Sequence, residues 1–406
     1  MSEMFVRVGI WLSLSIALAA LCVSAVAEDD PGASASASVK EIWNRTYGGS
    51  GIEFAGDVQV TRDGGCAIIG TTDSFGSGGV DAWLIKTDPD GNEMWNRTFG
   101  GPKYDLGASI LQTRDGGYII TGETESYGAG GSDVWLIKTD PDGMRQWDRT
   151  FGGPDFETGL TVMESEDGSY VIVGGTKSYG AGDLDVWMIR TDHEGNEIWN
   201  RTFGGPGYEC GISTQRTKDR GYIITGRTHS YGSEEGDLWL IKTDHEGNEM
   251  WNRTFGGGGY DVGRSVQETG DGGYVVVGET TSYGSGSQDI WILKTDAAGN
   301  EQWNKTFGGA YYDACSSVLE TKDGGYIIAG HTESFGYLPV APGPTGRRPG
   351  NAWLIKTDSK GDKEWDMNFD GGGLDSVRET KDGGYVIAGY IHYITLDIQL
   401  IKLKEM

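Results

Sequence analysis

Six acidic residues recur at matched positions: Glu53, Asp105, Glu157, Glu209, Asp261 and Asp313, spaced by 52 residues. Carboxylates gathered in that number around one cavity would hold Ca²⁺ or another hard cation, which takes about six to eight oxygen ligands. A capped loop with solvated charge is the alternative reading. A second series, Asp81, Asp133, Asp185, Asp237, Asp289 and Asp397, has Asn351 at its remaining position. Asparagine accepts a hydrogen bond but brings no charge, so these residues are expected to bond backbone rather than metal. The run Asp88-Pro89-Asp90-Gly91-Asn92-Glu93 resembles the start of a calcium loop. Its later copies, His245-Glu246-Gly247 and Ala297-Ala298-Gly299, lose the second acid, and a hairpin turn accounts for all of them.

Five histidines, at 193, 229, 245, 331 and 392, scatter over differing repeat positions, and no GxSxG, HExxH or phosphate loop occurs. Acids are so frequent that no pair stands out for glycoside cleavage. Cys66, Cys210 and Cys315 each sit at a different place in the repeat, and no CxxC occurs, so they read as buried small hydrophobes. Asn44, Asn96, Asn200, Asn252 and Asn304 each begin an Asn-x-Thr sequon, open to glycans in an exported protein. Asp148-Arg149-Thr150 keeps the pattern without the sequon, so strand chemistry also accounts for it.

The elements that position these residues follow from the period. Trp43, Trp95, Trp147, Trp199, Trp251 and Trp303 are 52 residues apart, and Trp365 follows after 62. Trp83, Trp135, Trp187, Trp239, Trp291 and Trp353 keep step with them, and Gln399 stands in the last copy. In one unit the expected strands are 109–113, 118–124, 133–139 and 145–151, separated by turns such as Arg114-Asp115-Gly116-Gly117 and Asp140-Pro141-Asp142-Gly143. Four short antiparallel strands of this kind form one propeller blade, and no stretch has sustained helical periodicity. The fourth-strand motif occurs seven times starting at Trp43, and the first-to-third-strand set occurs seven times ending at 396–403. The chain thus opens with a fourth strand and stops after a third. This phase predicts an all-β, seven-bladed propeller closed by residues 41–47 completing the last blade, which removes both raw edges.

The run Asp-Gly-Gly-Tyr-x-x-x-Gly-x-Thr, followed by Asp-x-Trp-Leu-Ile-Lys-Thr-Asp-x-x-Gly-Asn-Glu-x-Trp, resembles the secreted β-propeller repeat proteins of archaea and bacteria. Its Asp-x-x-Gly-x-x-x-Trp portion is similar to the tryptophan-docking motif of quinoprotein-type propellers. The likeness covers residues 41–406 and implies the fold; it implies little about activity, because propellers host unrelated functions.

Residues 1–27 read as an export signal, with Arg7 in a polar start, an uncharged run to Ala27, and Ala25-Val26-Ala27 as the cleavage pattern. An uncleaved anchor is the alternative, since the run is nearly long enough to span a bilayer. Residues 28–40, rich in Ser and Ala, read as a flexible spacer before the propeller of residues 41–406. The formal charge of −27 excludes nucleic acid as a partner. An extracellular binding or surface-scaffold protein with a protein or glycan ligand is therefore expected, with no catalytic residue assigned. The competing reading is a polysaccharide hydrolase or lyase. Binding is expected where the repeat breaks. The sixth second-to-third-strand loop carries an insertion, 337–350, with four prolines and the pair Arg347-Arg348; the seventh is cut short at Tyr393. Arg347 and Arg348 would take carboxylate or sulfate, and Tyr337 and Tyr393 would stack on sugar rings.

Overall fold

The structure is a computed structural model that describes residues 39–335, 350–392 and 396–405. These contain 28 strands and no helix. The opening strand is β1 (Val39–Tyr47). The first blade holds β2 (Glu53–Val60), β3 (Cys66–Thr72), β4 (Asp81–Thr87) and β5 (Glu93–Phe99). The second holds β6 (Asp105–Gln112), β7 (Tyr118–Thr124), β8 (Asp133–Thr139) and β9 (Arg145–Phe151). Strands β10 to β25 repeat this rhythm over residues 157–369, and β26 (Gly372–Glu379), β27 (Gly384–His392) and β28 (Leu396–Glu405) end the chain. They form seven four-stranded sheets, and the last has the order β1-β28-β27-β26. The expected closure is therefore present: Val39 pairs with Glu405 and Tyr47 with Ile398.

Within a blade the third strand is buried along its whole length, as in β8, whereas the fourth is exposed at its start and half-buried thereafter, as in β9. Buried Trp135 donates its indole N–H to Asp148 on the neighbouring strand at 3.1 Å. A ring of this size removes roughly 150–250 Å² from water, or about 4–6 kcal/mol of apolar transfer. The fourth-strand rings join blade to blade: Trp95 meets Tyr118 of the next blade edge-on at 6.0 Å. The next Asp-x-x-Gly turn also reaches this ring. Gly143, at φ 74, lies so close that a Cβ there would meet the Trp95 ring at 2.5 Å, a conformation and a clearance that only glycine satisfies.

Ion pairs tie the turns to the sheet. Lys86, Lys138, Lys242, Lys294 and Lys356 lie buried with their ammonium groups on Asp63, Asp115, Asp219, Asp271 and Asp323 of the first-to-second-strand turns. At the closure, Asp57 accepts from Ser376 Oγ at 2.8 Å and Arg378 Nη2 at 2.6 Å of the last blade, and from Ser109 Oγ of the second at 3.2 Å.

The innermost strand departs from expectation. It runs Asp105–Gln112 rather than 109–113, because a bulge between Gly107 and Ser109 interrupts the ladder without ending it. Every blade has this bulge. The extra residue leaves the ladder, a device that re-aims a side chain. Here those residues, among them Leu160, Ile212, Arg264 and Asp375 in separate blades, line the central channel.

Candidate functional site

The six acids proposed for calcium do not meet. Glu53, Asp105, Glu157, Glu209, Asp261 and Asp313 are fully buried, each opens the innermost strand of its own blade, and none lines the channel. Strand alternation turns them toward the blade junctions instead. Each carboxylate is held by donors: Glu157 accepts from Gly153 N–H at 2.7 Å, Thr176 Oγ1 at 3.0 Å and Ser178 N–H at 2.9 Å. Asp105 accepts from Gly101 N–H, Thr124 Oγ1 and Ser126 Oγ. N–H and O–H donors stabilise the charged carboxylates without a metal. No group of three or more His, Cys, Asp or Glu poised for a metal exists among the described residues. CaCl₂ is accordingly expected to raise the melting temperature no more than NaCl of equal ionic strength; a calcium-specific rise of several degrees would restore the cation site.

The third-strand aspartates bond backbone, as their exchange for Asn351 suggested. Asp133 Oδ2 accepts from Ala129 N–H at 2.7 Å and Asp289 Oδ2 from Ser285 N–H at 2.6 Å, while Asn351 Oδ1 accepts from Gly371 N–H at 3.2 Å. They also approach the first acid of the following blade. A Cβ on Gly100 would collide with Asp81 Oδ1 and stand 3.1 Å from Asp105 Oδ2. Equivalent glycines separate Asp133 from Glu157, Asp185 from Glu209, Asp237 from Asp261, Asp289 from Asp313 and Asp397 from Glu53. Burial first, and then the facing acid, pushes the carboxyls of Asp81, Asp133, Asp185 and Asp289 up from the usual range. The remaining junction has lost both members: Asn351 faces a last blade that opens with Gly372.

The sequon asparagines serve the sheet. Asn96, Asn200, Asn252 and Asn304 each accept an indole N–H and donate Nδ2 to a glutamate at 2.6 Å, and Asn44 accepts from Gln399. The proposed ligand residues Tyr337, Arg347, Arg348 and Tyr393 lie outside the described residues.

The structure instead gathers unrepeated side chains in the central channel, a cavity of about 920 Å³. Two positions supply them: the bulge residue of the first strand and the sixth residue of the second. Counted from Cys66 and its equivalents (Tyr118 in the second blade, Tyr385 in the last), the sixth residue is Thr71 in the first blade and then Glu123, Gly175, Arg227, Glu279, His331 and Tyr390. All but Gly175 line the channel. Aromatic rings just before the first strands, Tyr104, Phe156, Tyr208 and Tyr260, complete the wall.

The electrostatics differ around the ring. Arg264 is pinned by Glu279 in a two-point ion pair, Nε to Oε1 at 2.9 Å and Nη2 to Oε2 at 3.1 Å, and Gln288 Nε2 also donates to Glu279. The Arg227 guanidinium carbon lies over the rings of Tyr208 and Tyr260, 4.7 and 5.2 Å from their centres. Burial pushes the Asp375 carboxyl well up from the usual range, and burial, followed by Asp375 once ionised, raises the phenol of Tyr390. Burial likewise drives the Cys210 thiol up to about 11, so it is no nucleophile near neutrality. The signal for this site was in the sequence: one variable position inside an otherwise uniform second strand, outweighed in the reading by the larger changes in loop length.

No family model matches the chain. Among curated proteins, the regulatory protein FlaEY of Caulobacter vibrioides is 25% identical over 190 residues, covering 41% of this chain and 19% of that protein, so the match spans about a fifth of the relative's length. Among solved structures, the WD40 domain of Neurospora crassa Pan2 superposes with a TM-score of 0.56 at 10% identity, over 92% of this chain and 98% of that one. The WD40 β-propeller domain of Doa1 gives 0.54 at 12% identity, over 89% and 96%. YCF48 bound to a D1 peptide gives 0.50 at 9% identity, over 88% and 94%. At these identities the likeness shows the fold, and it agrees with the strand order: the chain is a β-propeller.

Proposed function

We propose that this chain is an extracellular binding or surface-scaffold propeller that captures its ligand in the central channel. The observation that carries the reading is the convergence of the unrepeated side chains on one aromatic-walled cavity, against six blade junctions built alike. Tyrosine faces suit the apolar faces of sugars or the side chains of a peptide. Residues 1–27, whose sequence reads as an export signal, support an extracellular setting. Screening the purified protein on glycan and protein arrays identifies the ligand class. Replacing Tyr208 and Tyr260 together with alanine is then expected to weaken binding at least tenfold. The Arg347→Ala, Arg348→Ala variant should bind normally. Loss in the second variant with retention in the first would move the site to the insertion.

One observation favours the second reading, a polysaccharide hydrolase or lyase. Asp375, with its raised carboxyl, and Tyr390 lie together in the channel wall. A neutral carboxyl beside a phenol is equipped for general-acid work. Release of new chain ends from a polysaccharide, abolished in Asp375→Asn, would establish that reading.

A further inference from the structure

Resting on the channel as the binding site, we infer that Arg227 is the recognition point for a sugar carboxylate, so that the captured ligand is a uronate-type glycan. Among the channel arginines, Arg264 is neutralised by Glu279 and Arg378 is engaged by Asp57. No ion pair to Arg227 occurs among the described residues. Its guanidinium lies over the rings of Tyr208 and Tyr260 and is hydrogen-bonded to the Tyr208 side chain, so little side-chain freedom is left to lose on binding. A half-buried guanidinium fixed in this way matches a carboxylate at two points, and the charge-assisted bonds strengthen where water is excluded.

The other charges of the channel leave this role open. Glu279 is occupied by Arg264 and Gln288, Asp375 favours its neutral form, and Glu123 and Glu125 belong to the second blade, whereas Arg227 belongs to the fourth. The rings beside the guanidinium decide the carrier: a carboxylate on a pyranose places the apolar sugar face against tyrosine while its charge meets Arg227. The net charge of −27 opposes long polyanions at a distance. That repulsion is largely screened beyond about 8 Å at physiological salt, and a ligand with a single uronate avoids most of it.

The test is calorimetric titration of the full protein, at physiological salt, with cellobiouronate, with cellobiose as its uncharged counterpart, and with acetyl-dialanine as a carboxylate on a peptide. Cellobiouronate is expected to bind at least tenfold more tightly than either control. Arg227→Gln is expected to remove that advantage, and Arg227→Lys to restore part of it, at unchanged melting temperatures. Equal binding of cellobiouronate and cellobiose, or full retention in Arg227→Gln, would overturn the inference; if the pair Tyr208→Ala, Tyr260→Ala still abolishes that binding, the channel reading survives. Preference for acetyl-dialanine would overturn the sugar assignment. Absence of binding by all three would overturn the inference, and the array screen then judges the channel reading separately.

Discussion

Deleting residues 41–47 is expected to lower the melting temperature by roughly 10–20 °C and to produce concentration-dependent association. The segment contributes most of the ladder from Glu41↔Leu403 to Tyr47↔Ile398. It also carries Trp43 and Tyr47, both buried in a cluster shared with Ile68, Trp83 and Ile85 of the first blade. Truncating one such aromatic costs about 3–5 kcal/mol, a large share of the ~5–15 kcal/mol that holds a domain together. In a protein of this size each kcal/mol moves the midpoint by roughly 2–4 °C. Removal also bares β28, whose free N–H and C=O groups become a template for another chain. Calorimetry and size-exclusion chromatography check both effects. An unchanged midpoint with monomeric elution would contradict the closed ring.

Stability is expected to peak in mild acid rather than at neutrality. At the junctions, Asp81, Asp133, Asp185 and Asp289 have folded pKa values above the ordinary 3.8. A raised carboxyl binds its proton more tightly when folded, so its contribution is complete below the ordinary value and is lost as pH rises through the raised one. The turn aspartates behave oppositely. Hydrogen bonds and the buried lysines outweigh desolvation at Asp219, Asp271 and Asp323, and hold each at about 2, as Thr380 and Lys402 do for Asp382. Their contribution is present above the ordinary range and is lost as pH falls toward 2. The melting temperature should therefore be highest near the ordinary carboxylate range, decline gently toward pH 7 and collapse near pH 2. Asp133→Asn removes one facing charge and keeps the oxygen that accepts from Ala129. It should raise the midpoint by a few degrees at pH 7 and by less at pH 4. An equal change at both values would show that the facing acids are not coupled.

The ring was legible because strand phase is a property of order, and order survives any ambiguity in strand ends. The count from Trp43 to 396–403 fixed both the number of blades and the closing partner. Local reading failed where the ladder is irregular. The first strand was expected to run over 109–113, which left Asp105 outside it, in a capped loop or around a shared cavity. The bulge carries the strand across Gly107, and period-two alternation then points Asp105 into the blade junction. The channel site was hidden for another reason. Arg227, Glu279 and His331 stand in separate repeats, 52 residues apart, and only the circular arrangement makes them neighbours. Loop insertions are conspicuous along a chain, whereas one-residue exchanges at a fixed register become conspicuous only in a ring.

The Asp-x-x-Gly turns give assembly a direction. Each turn seats the indole of the blade before it, Gly143 on Trp95, Gly195 on Trp147, Gly247 on Trp199, Gly299 on Trp251 and Gly361 on Trp303, so a newly made blade finishes its predecessor. The series begins one step early: Gly91 of the first blade packs on Trp43, and its carbonyl accepts the Tyr47 hydroxyl at 2.5 Å. The opening strand is thus already anchored on the first blade before the residues of its hydrogen-bonding partner β28 have been synthesised. Closing the circle then requires no search by a loose N-terminus. The last three strands arrive at an edge that has been held in register since the first blade formed, and the entropy of closure is spread over the whole succession of blades.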